Sequence, residues 1–235
     1  MIDPTSVFWL GAFGMGVGTV VFVWSGVTGF GTDARYTAVL AAISSIAMVA
    51  YVTMGLEIGW VSVDDRIVFV PRYVDWILTT PLLLVFLGML AGSNQRELAL
   101  VVSVNTVVMV GGFVGALLTG PLRFGLFALA TVAYAIMLYL ILGSMSERAR
   151  RRENGVNSLF TSLRNLTVVL WSVYPLVWLL GPPGIDALTI QVDVMLITYL
   201  DLLTKVGFGL IAINASTIIH GESGSEIVGE VSRSG

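Results

Sequence analysis

Lys205 is the only lysine in 235 residues, and it stands in the apolar run 192–219, four residues after Asp201. An ammonium near the centre of a membrane-length helix costs roughly 2.5–3.5 kcal/mol on insertion scales. A lysine amine can form a Schiff base with an aldehyde or ketone, so a covalently held carbonyl cofactor is the chemistry it suggests. Asp201 and Lys205, spaced i,i+4, share a helix face. Upstream, Arg72, Asp75 and Thr79 also share one face. Nearby carboxylates keep a buried cation charged against desolvation. Charged groups inside a membrane face the bundle interior and mark proton relays, ion paths or ligand counter-ions.

Aromatic residues accompany these charges. Trp171, Tyr174, Pro175 and Trp178 form one stripe, and Trp76 follows Asp75. Two such faces are suitable walls for a flat apolar ligand. Each feature also has a plainer reading. Arg72 near a helix end can snorkel to the interface, and Trp and Tyr populate interfacial belts. Asp201 and Lys205 can simply neutralise each other, and Pro175 can be only a kink.

The elements that position these residues are membrane helices. The chain is 56% hydrophobic and 11% charged, with mean hydropathy +0.91, whereas a soluble domain is about 25% charged. Seven segments reach the roughly 20 apolar residues a span requires, at 4–26, 35–57, 71–92, 95–118, 122–144, 155–181 and 189–219. Short polar or Gly/Pro-rich breaks make sequential helices antiparallel neighbours. Residues 61–69 alternate on either side of Asp64-Asp65, which predicts a β-hairpin between the second and third helices. The fold class is therefore an all-α membrane protein, a seven-transmembrane-helix bundle with one short β-hairpin.

Charge sets the orientation. Arg35, Arg96, Arg148, Arg150, Arg151, Arg152, Arg164 and Arg233 fall on one side, against Arg66, Arg72 and Arg123 on the other. The positive-inside rule predicts an extracellular N-terminus and a cytoplasmic C-terminus in a multi-pass protein of the cell membrane. The opening Met-Ile-Asp-Pro carries an acid where a cleavable signal has a basic region, so the first span is expected to stay as a helix. Residues 1–219 form the transmembrane domain. Residues 220–235 are polar and are expected to be a disordered tail. Without cysteine there is no thiolate chemistry, and one histidine, His220, cannot build a histidine-cluster metal site. The bilayer is the expected surrounding; no basic stripe points to nucleic acid.

Three motifs together resemble the microbial rhodopsins: Arg72-Tyr-Val-Asp-Trp-Ile-Leu-Thr-Thr-Pro81, Trp171-Ser-Val-Tyr-Pro-Leu-Val-Trp178 and Asp201-Leu-Leu-Thr-Lys205. The resemblance extends to about residue 219. It implies retinal held covalently on Lys205 as a protonated Schiff base. Asp75 is then the primary counter-ion and proton acceptor, Asp201 the second counter-ion, and Arg72 the organiser of water and charge on the extracellular side. Trp76, Trp171, Tyr174 and Trp178 form the retinal box, with Thr79 and Thr80 near its Schiff-base end.

Asp75 argues against a chloride pump, which resembles this family but carries Thr there. A proton pump of the family carries a carboxylate eleven residues further on, about three turns along the helix. Phe86 stands there and cannot donate a proton, so reprotonation from the cytoplasm should be slow. Pro183 replaces one member of the outer proton-release pair, while Asp193 remains. A slow cycle suits a sensor. Thr204 beside the lysine, Tyr174, Asn105 and Val108 are similar to the haloarchaeal sensory rhodopsin II group. So are Tyr199 and Thr189, which in that group contact a transmembrane methyl-accepting transducer.

Ala130 and Tyr134 depart from the Gly and Phe expected there. Asn157 and Ser162 depart from basic residues near the cytoplasmic contact. The resemblance implies a phototaxis photoreceptor and not an enzyme, with homo-oligomers compatible. A weak or slow proton pump, or a middle-type rhodopsin without a dedicated transducer, is the alternative. A transporter using Asp75, Asp201 and Lys205 as a relay is the reading from another class, but no internal repeat supports it.

Overall fold

The structure, a computed structural model, describes residues 3–28 and 34–215. Among the described residues, seven helices long and apolar enough to span a membrane follow one another: α1 Pro4–Thr28, α2 Ala34–Gly55, α3 Val70–Ala91, α4 Gln95–Leu117, α5 Leu122–Ala149, α6 Asn154–Leu180 and α7 Ile190–Ala215. Inside a bilayer the backbone must satisfy its own hydrogen bonds, which helices do within one segment. The expected spans agree within a few residues, except that α5 runs five residues further than 122–144. The expected tail, with His220 and Arg233, lies outside the described residues.

Local chemistry sets the ends. Pro71 sits in the first turn of α3, where a missing N–H does no harm. Gly92 closes the same helix with φ 69°, and Ser93 N–H reaches back to the Gly88 carbonyl at 2.8 Å. Asn94 caps α4 by accepting from Glu97 N–H at 2.9 Å.

Between α2 and α3, β1 (Trp60–Val63) pairs antiparallel with β2 (Arg66–Phe69), in register Trp60↔Phe69 and Val63↔Arg66. The hairpin is where the alternation places it, with Asp64 turning at φ 51°. Phe8, Trp60 and Phe69 meet edge-to-face and tie it to α1. Arg66 reaches the carbonyls of Ala116 and Leu118 at the end of α4. Burial, and then neighbouring Arg123, pull its pKa below the ordinary guanidinium value.

Three helices are irregular. A π turn at Ile141–Met145 interrupts α5, another at Leu203–Gly207 interrupts α7 around Lys205, and α6 breaks at Ser172. Such π turns often sit at functional sites. The most enclosed spans are α3 and α7, 56% and 50% buried, against 17% for α4. Buried charge therefore has its shelter on α3 and α7. Small residues let α1 approach its neighbours. A Cβ on Gly11 would lie 2.3 Å from the Tyr51 ring.

Candidate functional site

The π turn of α7 carries Lys205, which is 2% exposed. Its Nζ donates to Asp75 Oδ2 of α3 and lies 3.5 Å from Asp201 Oδ2, one turn earlier on its own helix. The i,i+4 pair read from sequence is thus present, but the direct hydrogen bond goes to the other helix.

The two carboxylates are held differently. Asp201 accepts from Tyr51 Oη at 2.8 Å, Tyr174 Oη at 2.7 Å and Trp76 Nε1 at 3.1 Å. Asp75 accepts from Lys205, while its buried Oδ1 has no hydrogen-bond partner among the described residues. Tyr174 Oη also lies 3.2 Å from Thr204 Oγ1, so the hydroxyl pair read from sequence is in contact.

Arg72 belongs to a separate pair. Its Nη1 donates to Asp193 Oδ2 at 2.8 Å, and its guanidinium lies 5.0 Å from the Phe69 ring centroid. Both partners are buried, so Arg72 does not snorkel. Sequence spacing put Arg72 on one helix face with Asp75 and paired Asp201 with Lys205. In the structure a Lys–Asp–Asp triad and an Arg–Asp pair divide the charge.

A cavity opens from the triad. Its walls include Trp76, Thr80, Val108, Trp171, Tyr174 and Trp178, with Asp201, Thr204 and Lys205 also in the lining. Thr79 is not part of it: its hydroxyl donates to the Asp75 backbone carbonyl at 2.8 Å. Thr80 receives Asn105 Nδ2 at 2.8 Å, linking α3 to α4. Ala130, Tyr134, Tyr73, Met109 and Pro175 also line it.

Phe86 is buried deeper along α3, edge-on to Tyr36 and Phe208. Tyr199 is exposed on α7, away from the cavity. Thr189 caps α7, its hydroxyl accepting from Val192 N–H at 3.4 Å. Sequence reasoning missed Tyr51. Tyr51 lies one turn before the end of α2, where a tyrosine is ordinary in an interfacial belt, so its residue type gave no local signal.

The chain matches the bacteriorhodopsin-like protein family over residues 4–219. It is 52% identical to sensory rhodopsin-2 of Natronomonas pharaonis over 229 residues, covering 97% of this chain and 96% of that protein. It is 36% identical to bacteriorhodopsin of Halobacterium salinarum, covering 91% and 84%. The solved thermophilic rhodopsin of Rubrobacter xylanophilus superposes with a TM-score of 0.87 at 34% identity, covering 91% of this chain and 96% of that one. The resemblance to microbial rhodopsins, and within them to sensory rhodopsin II, is thereby borne out: the chain belongs to the bacteriorhodopsin-like family of seven-helix membrane proteins.

Proposed function

We propose that this protein is a phototaxis photoreceptor whose chromophore is retinal, attached to Lys205. The observation that carries the reading is the position of Lys205 Nζ, between two buried carboxylates and at the wall of an aromatic cavity. Retinal is the chromophore that family membership implies, and the residues present fit it: a reactive amine, apolar walls and a buried Asp75 oxygen left without a protein donor. When bound, retinal supplies a light-isomerised chromophore joined to Lys205 as a protonated Schiff base.

The chain's own groups divide the work. Three donors from Tyr51, Tyr174 and Trp76 fix the Asp201 carboxylate in place and occupy both its oxygens. Asp75 lacks those donors, and its Oδ2 receives the proton from the Lys205 nitrogen. Arg72 and Asp193 organise charge on the extracellular side. Phe86 offers no proton from the cytoplasmic side, so Lys205 recovers its proton slowly and the signalling state persists. Domain limits follow this reading: residues 1–219 hold the chromophore, with the N-terminus outside and the C-terminus in the cytoplasm.

Relatives named sensory rhodopsin-2 support a transducer as partner. Its helices would pack against α6 and α7, where Tyr199 is exposed and Thr189 marks the outer end of α7. The alternative is a slow pump or a middle-type rhodopsin without a transducer. Light-driven acidification of vesicles at a dedicated pump's rate would overturn the sensor reading. The chromophore test is direct: the apoprotein takes up all-trans retinal, gains a visible band, and after borohydride reduction carries the label on Lys205. A colourless product would sink the proposal.

A further inference from the structure

Helix α6 breaks at Ser172, between the cavity-wall residues Trp171 and Tyr174. Ser172 Oγ donates its single proton to the Val168 carbonyl at 2.7 Å. It also lies 3.0 Å from Tyr134 Oη of α5. A serine hydroxyl has one proton to give. With that proton on Val168, Tyr134 must be the donor. The chain Tyr134 Oη–H to Ser172 Oγ–H to Val168 O joins α5 to the backbone of α6 at its break.

The rest of Tyr134 is cavity wall. It packs in the same buried cluster as Trp171, Leu83 and Met137. On the other side of the break, Tyr174 reaches Asp201 and Thr204. One hydroxyl on α5 therefore bears on the segment of α6 that connects the chromophore cavity to the counter-ion.

We infer that Tyr134 is a positioning residue: through Ser172 it fixes α6 at its break in the dark state and sets how fast the protein returns from the light-activated state. The inference rests on the photoreceptor reading above. The link belongs to the dark arrangement, so the transition state for return regains part of it. Removing the hydroxyl slows the return and leaves the ring in place.

The test is flash photolysis of the retinal-reconstituted protein, as Tyr134→Phe, Ser172→Ala, Ser172→Thr and the Tyr134→Phe/Ser172→Ala double variant. A hydrogen bond contributes about 1 kcal/mol, roughly a fivefold change in rate. Tyr134→Phe and Ser172→Ala should each slow dark recovery by up to about fivefold, and the double variant should be no slower than either alone. Ser172→Thr keeps the acceptor and should recover at the unsubstituted rate. A normal visible band with unchanged recovery in Tyr134→Phe, or fully additive slowing in the double variant, overturns this inference alone. A missing band in the unsubstituted protein overturns the photoreceptor reading and this inference with it.

Discussion

Tyr51 Oη donates to Asp201 Oδ2 at 2.8 Å across 150 residues of chain. The contact joins α2 to α7, and Asp201 is in turn 3.5 Å from Lys205. Gly11 of α1 lies so close to the Tyr51 ring that a Cβ there would sit 2.3 Å from it. Three helices thus fix one carboxylate oxygen, while Asp75, which faces the same amine, has an oxygen with no protein donor. Under the photoreceptor reading proposed above, this difference in company, not in chemistry, separates a fixed counter-ion from a proton acceptor.

Asn substitutions at the two carboxylates should have unlike effects. Asp75→Asn keeps a visible band, shifted to longer wavelength, and loses proton transfer on flash excitation. Asp201→Asn leaves Tyr51, Tyr174 and Trp76 with a weaker acceptor, and stability should fall by about 1–3 kcal/mol. Thermal bleaching and a pH-indicator dye read the two outcomes. Equal loss of proton transfer with equal stability would contradict the division.

Gly11→Ala places a methyl 2.3 Å from the Tyr51 ring. Overpacking of this kind costs about 1–3 kcal/mol. The expected result is earlier thermal bleaching together with a shifted band, since the displaced tyrosine loosens Asp201. A more stable protein with an unmoved band would show that Tyr51 has room to yield.

Arg72→Ala removes one partner of a buried pair and leaves Asp193 uncompensated. Breaking such a pair costs about 3–5 kcal/mol. Adding Asp193→Asn should recover most of that loss, as thermal bleaching of the double variant can establish. No recovery would mean that Arg72 matters through packing on Phe69.

Phe86→Asp supplies a carboxylate where the aromatic ring now packs. General acid assistance is worth about 10²-fold or more, so ground-state recovery should speed up clearly, with added azide then having little further effect. Unchanged recovery in a folded, coloured variant would remove the missing donor as the cause of a slow cycle.

What sequence could show was short-range. Hydropathy located seven spans, alternation around Asp64-Asp65 located the hairpin, and i,i+4 spacing paired Asp201 with Lys205. Contacts between helices have no period to read. Tyr51 on Asp201 and Tyr134 on Ser172 join residues that no local pattern relates. Helical spacing also grouped Arg72 with Asp75, although the long arginine side chain reaches Asp193 instead. The π turn at Lys205 carries no Pro, and its composition does not distinguish it from regular apolar helix. Thr79 was placed on the right face, yet its hydroxyl is taken by the backbone one turn earlier, which is an ordinary fate for a helical threonine.

The glycine contacts of α1 bear on how the protein is assembled. Gly14 and Gly18 meet Leu202 and Val206 of α7, on either side of Lys205. Helix α1 is therefore fitted closely to α7. Until α7 enters the membrane, Tyr51 has no carboxylate to bond, Asp75 has no ammonium, and the groove beside α1 stays open. The Lys205 site is completed only when α7 is in place.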